Sequence, residues 1–218
     1  MKEFDAIIFD MDGTLWDATD SYVKCWNIAA KRLGYPTEVD RKMLESVMGW
    51  EEKKAYEFLF PGIGEEKITS LAAMVSNVQD ELLPQLGGKI YEGVKEGLKR
   101  LSTAYKLFVL SNCPKHTIKQ FMNFAGIDNL ITGSISFGEN RVAKSENIRL
   151  LINRYHLKNV VYVGDTNSDR VQCENAGVPF VYVSYGFDKV DKFYKSFDHF
   201  ATLTDYFLDN KYTKGFSS

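Results

Sequence analysis

Four uncharged residues, Ala6-Ile7-Ile8-Phe9, run straight into Asp10-Met11-Asp12-Gly13-Thr14. A run this short and this apolar reads as a strand covered on both faces, and its abrupt acidic end fixes where the polar chemistry must lie. Leu107 to Leu110, Val160 to Val163 and Phe180 to Val183 repeat the design, each bounded by small or polar residues. Between them, Pro114 to Phe124, Ser145 to Tyr155 and Asn167 to Ala176 carry helical patterns, the first and third followed by Gly126 and Gly177. Alternating strands and helices imply right-handed βαβ crossovers. The expected fold class is therefore α/β, a Rossmann-like parallel sheet sandwiched by helices.

Residues 17–87 break that rhythm, with no convincing strand and a succession of helical patterns. Helices are expected from Asp20 to Leu33, Arg41 to Val47, Glu51 to Phe58 and Glu65 to Leu83, with Asp17 or Thr19 capping the first. Pro84, Gly87 and Gly88 mark the return to the sheet. The division expected is a core of 1–16 and 88–218 with an inserted α-helical cap over 17–87. The stretch from Lys211 to Ser218 is expected to fray.

The charge balance, 27 Lys and Arg against 29 Asp and Glu for a net charge of -2, supplies no global field for nucleic acid or an anionic membrane. Any anion site must be local. Cys25, Cys113 and Cys173 form no paired framework, which suits a reducing compartment. The sequence contains neither a secretory pattern at Met1 nor a run of ~20 apolar residues. A cytoplasmic address is expected.

Asp10 and Asp12 stand beyond a strand's carboxyl end, where open α/β sheets bind ligands. Asp-x-Asp-Gly is also ordinary turn chemistry, because Asp caps local amides and Gly accepts positive φ. A calcium loop of the helix-loop-helix type would need glycine and glutamate where Leu15 and Ser21 stand. A second strand ends in Gly164-Asp165-Thr166-Asn167-Ser168-Asp169. Magnesium, which takes one or two carboxylates, retained waters and a phosphate, suits Asp10 and Asp165 meeting from two strands, with Asp169 holding a bound water. Asp165 and Asp169 also fit a helix N-cap. Ser111 and Asn112 follow a third strand and precede a helix, a place that favours phosphate. Lys144 could neutralise a phosphate oxygen, although lone lysines are usually solvated.

These elements, Asp10-Met11-Asp12-Gly13-Thr14, Ser111, Lys144 and Gly164 to Asp169, taken in order, resemble the four motifs of the haloacid dehalogenase superfamily over nearly the whole chain. The helical insert after the first motif looks like the type 1 cap of the phosphoglycolate phosphatase-like branch. That branch often has Gly-Lys-Pro where Ala143-Lys144-Ser145 stands here. The resemblance implies Asp10 as nucleophile and Asp12 as general acid and base. It implies magnesium on the side chains of Asp10 and Asp165 and the backbone carbonyl of Asp12, with Ser111, Asn112 and Lys144 at the phosphate and Asp169 behind them. The activity implied is hydrolysis of a small phosphate monoester, phosphoglycolate among the candidates, with Trp50, Lys53 and Lys54 of the cap as selectors. A sugar phosphomutase and a silent metal- or phosphoprotein-binding module are the alternatives. Cys113 and His116 receive no role.

Overall fold

The computed structural model describes residues 4–36 and 38–209. Six strands form one parallel sheet in the order β5-β4-β1-β6-β7-β8. They are β1 (Ala6–Phe9), β4 (Lys106–Ser111), β5 (Gly133–Ser136), β6 (Val160–Gly164), β7 (Phe180–Val183) and β8 (Lys195–Phe197). β1 lies in the interior, pairing Ile8 with Phe108 of β4 and with Tyr162 of β6. The chain builds outward from β1 through β4 to β5, then crosses back to β6 and builds the other way. A crevice opens at such a reversal, beyond the carboxyl ends of the strands.

Alternation along each strand feeds two cores, as a period of two requires. Ile7, Phe9, Leu107, Val109, Val161 and Val163 join one cluster, while Ala6, Ile8, Phe108, Leu110, Val160 and Tyr162 join the other. α5 (Val94–Ser102), α6 (Thr117–Ala125) and α10 (Phe200–Leu208) contribute to the first. α8 (Lys144–Tyr155) and α9 (Asn167–Ala176) contribute to the second. The short α7 (Phe137–Asn140) and a 3-10 turn at Asp128–Leu130 complete the connections.

A second, two-stranded antiparallel ribbon pairs β2 (Trp16–Asp17) with β3 (Lys89–Ile90). Between these strands the described residues form four helices joined by loops: α1 (Thr19–Arg32), α2 (Arg41–Glu45), α3 (Glu52–Leu59) and α4 (Glu65–Leu86). The ribbon brings the outgoing and returning chain side by side. It was not expected from sequence, since each strand is only two residues long.

Several boundaries differ from the sequence expectation for local reasons. Pro84 lies inside α4 rather than ending it; so near the C-terminus, the missing N–H costs a single bond. Gly87 N then donates to Leu83 O at 2.8 Å and stops the helix. α1 is preceded by Ala18 without a side-chain cap, while Asp17 Oδ1 accepts from Thr19 N at 3.0 Å. α6 begins at Thr117, and α8 already includes Lys144. The expected fraying of Lys211 to Ser218 falls outside the described residues.

Candidate active site

The loop after β1 is shaped by its own backbone. Asp10 N donates to Val163 O at 2.8 Å, carrying the ladder with β6 one residue past the strand. Met11 O then accepts from Leu15 N at 2.8 Å and Trp16 N at 3.2 Å, which closes the turn. Gly13 has φ +81°, and a Cβ there would stand 2.1 Å from Asp165 Oδ2. Backbone conformation and the neighbouring acid therefore both demand glycine. Asp12 Oδ1 accepts from Tyr22 OH at 2.9 Å and Trp16 Nε1 at 3.1 Å, so an α1 residue and a β2 residue fix its carboxyl group.

The end of β6 supplies the facing wall. Asp165 accepts from Thr14 Oγ1 at 3.1 Å and from Phe187 N at 2.8 Å. Thr166 and Asp169 form a capping box at the start of α9, satisfying amides that a helix leaves unpaired. Asp169 thus performs the capping that its sequence position allows, and its other oxygen receives Lys144. The Lys144 ammonium sits 2.6 Å from Asp169 Oδ1 and 2.8 Å from Asp10 Oδ1, with only 3% of the residue exposed. Tyr162 OH lies 3.4 Å from the same Asp10 oxygen.

Asp10, Asp165 and Asp169 each offer an oxygen, all within 4.8 Å of one another. Asp12 adds a fourth acid nearby, against the single ammonium of Lys144. Burial pushes Asp12 up to about 7, reinforced by the charge of Asp10 and opposed by the Tyr22 and Trp16 bonds. Burial likewise raises Asp10, outweighing the attraction of Lys144. For Asp165, burial and the charges of Asp169 and Asp10 all act upward. Burial would lower Lys144, but Asp10 and Asp169 prevail and hold it charged. A buried set of hard oxygen donors with uncompensated negative charge matches what a divalent cation requires. The Asp12 side chain is absent from that oxygen cluster, being held by Tyr22 and Trp16.

Ser111, buried at the end of β4, and half-buried Asn112 line the same cavity as Asp10, Asp12 and Lys144. Asn112 also reaches across: its Nδ2 donates to Gly49 O at 3.4 Å, while Ser168 Oγ donates to that carbonyl at 2.7 Å. The helical insert supplies Trp50 to the cavity, though 42% of this residue is exposed and it packs against Phe58. Lys53 and Lys54 do not line the cavity. They extend into solvent from α3, where Lys53 pairs with Glu65 at 3.0 Å and Lys54 with Glu51 at 3.2 Å. Long charged side chains on a helix keep their heads in water, and here that rule overrides their closeness in sequence to Trp50. Tyr22, Glu52 and Gln79 line the cavity instead. No motif marks them in the sequence, because only the packing of α1, α3 and α4 brings them to the sheet.

Residues 7–183 match the family model described as haloacid dehalogenase-like hydrolase. The chain belongs to the haloacid dehalogenase-like hydrolase family. Among curated relatives of this family, the probable phosphatase IndB of Dickeya dadantii is 28% identical over 195 residues, covering 85% of this chain and 84% of its own. A phosphoglycolate phosphatase of Vibrio cholerae is 26% identical, covering 86% and 88%. A solved haloacid dehalogenase-like family hydrolase from Streptococcus pneumoniae superposes with TM-score 0.81 at 18% identity, over 95% of this chain and 100% of its own. At that identity, the superposition speaks for the fold alone.

Proposed function

We propose that this hydrolase cleaves a small phosphate monoester through an aspartyl-phosphate intermediate. The observation that carries this reading is the meeting of Asp10, Asp165, Asp169 and Lys144, drawn from two strand ends and two helix starts, within one buried cluster. The named relatives, a phosphatase and a phosphoglycolate phosphatase, support the same chemistry.

In this mechanism an Asp10 carboxylate oxygen attacks phosphorus, and the bond from phosphorus to the leaving oxygen breaks. Asp12 gives its proton to that oxygen, a role suited to a carboxyl group whose pKa lies near 7. The leaving alcohol departs neutral. A water molecule then attacks the phosphoryl group, Asp12 takes back a proton, and Asp10 is released with inorganic phosphate. Lys144, Ser111 and Asn112 bind the phosphate oxygens, and Asp169 holds Lys144 in place. Asp10, Asp165 and the Asp12 backbone carbonyl would hold a magnesium ion, which when bound would supply positive charge where the transferring group is most negative.

Residues 17–87 act in this reading as a cap whose α1 to α4 close over the leaving group. The partner is a small phosphorylated metabolite, and the three free cysteines fit a reducing, cytoplasmic setting. No described helix is long and apolar enough to cross a membrane.

Asp10→Asn tests the nucleophile. It should keep the circular dichroism spectrum while lowering phosphate release from p-nitrophenyl phosphate by more than about a thousandfold, the scale on which loss of a nucleophile acts. Undiminished turnover in the folded variant would remove Asp10 from the mechanism.

A further inference from the structure

The cavity beyond the acids is apolar where it meets the insert. Trp26, Leu44, Val47, Tyr56 and Val75 line it, and Trp26 stacks on Tyr56 with ring centres 4.6 Å apart. Lys144 is the sole lysine or arginine among the described residues lining the cavity, and Asp10 and Asp169 already engage it. Glu52 contributes a further carboxyl group to the insert side, whose pKa burial raises and the charge of Arg141, outside the cavity lining, pulls the other way. A carboxylate on the leaving group would therefore find no second cation among the lining residues, an unfavourable place for a desolvated anion.

Gln79 stands on that same wall. The residue is 4% exposed, and its Oε1 has no hydrogen-bond partner. A buried, unpartnered amide oxygen is costly unless something donates to it. The cavity volume is about 130 Å³, while an apolar cavity of about 150 Å³ takes one benzene ring. With the phosphate at the acidic end, the enclosed space that remains is that of a short chain.

Granting the hydrolysis proposed above, we infer that the substrate is the phosphate ester of a compact, uncharged alcohol. It carries a second hydroxyl or an N–H that donates to the Gln79 amide oxygen. Phosphoglycolate, with its carboxylate beside the ester, falls outside this class. Gln79 is a specificity residue here, and Trp26 and Tyr56 form the apolar surface against which the carbon skeleton lies.

The test uses the full chain with magnesium and a matched set of four-carbon esters: butyl, 4-hydroxybutyl and 3-carboxypropyl phosphate, alongside phosphoglycolate and p-nitrophenyl phosphate. The kcat/KM for 4-hydroxybutyl phosphate should exceed that for butyl phosphate about tenfold, the worth of one neutral hydrogen bond. It should exceed those of both carboxylate-bearing esters by about a hundredfold. In Gln79→Leu the hydroxyl preference should fall to near unity. Should that variant fail to fold, Gln79→Met serves the same purpose, and the wild-type order is itself decisive. A carboxylate-bearing ester that equals or beats the hydroxyl ester would overturn the inference while leaving the hydrolysis intact. So would a hydroxyl preference that survives in a folded Gln79 variant. Absence of phosphate release from every ester would overturn the hydrolytic reading as well.

Discussion

Asp12 keeps its proton near neutrality because burial and the neighbouring Asp10 charge outweigh two donated hydrogen bonds. In the proposed mechanism the leaving group takes this proton, so kcat should fall as pH rises through about 7. Tyr22→Phe removes a donor that favours the ionised form, and the alkaline limb of the pH profile should then move upward; a downward or absent shift would exclude Tyr22 from setting that limb. The same shift affects stability. An acid whose folded pKa exceeds its unfolded value of 3.8 favours folding fully below pH 3.8, and that contribution is lost as pH rises through about 7. In chelator, the thermal midpoint should therefore decline between pH 5 and pH 7, and magnesium at pH 7.5 should restore it; scanning calorimetry reads both. Asp10, Asp12 and Asp165 were legible in the sequence because strand ends advertise them. Tyr22 was not, since its helical position alone does not say that it meets Asp12.

At the scale of elements, the turn after β1 tolerates little change. Gly13→Ala combines a strained φ of +81° with an overlap of Cβ on Asp165 Oδ2 and Phe187. Denaturant unfolding should show a loss of at least about 1 kcal/mol, and a neutral result would mean that the loop moves freely. Phe121 of α6 is fully buried, with its ring 4.9 Å from that of Trp16. Phe121→Ala should cost about 3–5 kcal/mol by the same measurement. The four apolar strands were readable because both sheet faces are covered. β5 and β8 were not: Gly133-Ser134-Ile135-Ser136 and Lys195-Ser196-Phe197 lack an apolar run. Their pairing with β4 and β7 decides their conformation, a tertiary effect that local propensity does not carry.

Across the whole molecule, the helical insert was visible as an interval without strands, while the way it meets the sheet was not. That meeting runs through the Gly49 carbonyl, which receives Ser168 and Asn112. If the insert closes over substrate, Ser168→Ala should raise KM about fivefold with kcat largely retained, the scale of one hydrogen bond; steady-state kinetics with an unchanged KM would show that closure does not use this bond. The latch has an asymmetric vulnerability. Its acceptor is a peptide oxygen that every amino acid possesses, so no side-chain exchange at position 49 deletes it. A replacement there can only misplace it, because the chain at Gly49 has φ +75° and a Cβ would press within 3.0 Å of Thr166 Oγ1. Drift in a lineage could thus loosen the fastening gradually by altering its donors, but at the acceptor it would meet steric resistance from the first step.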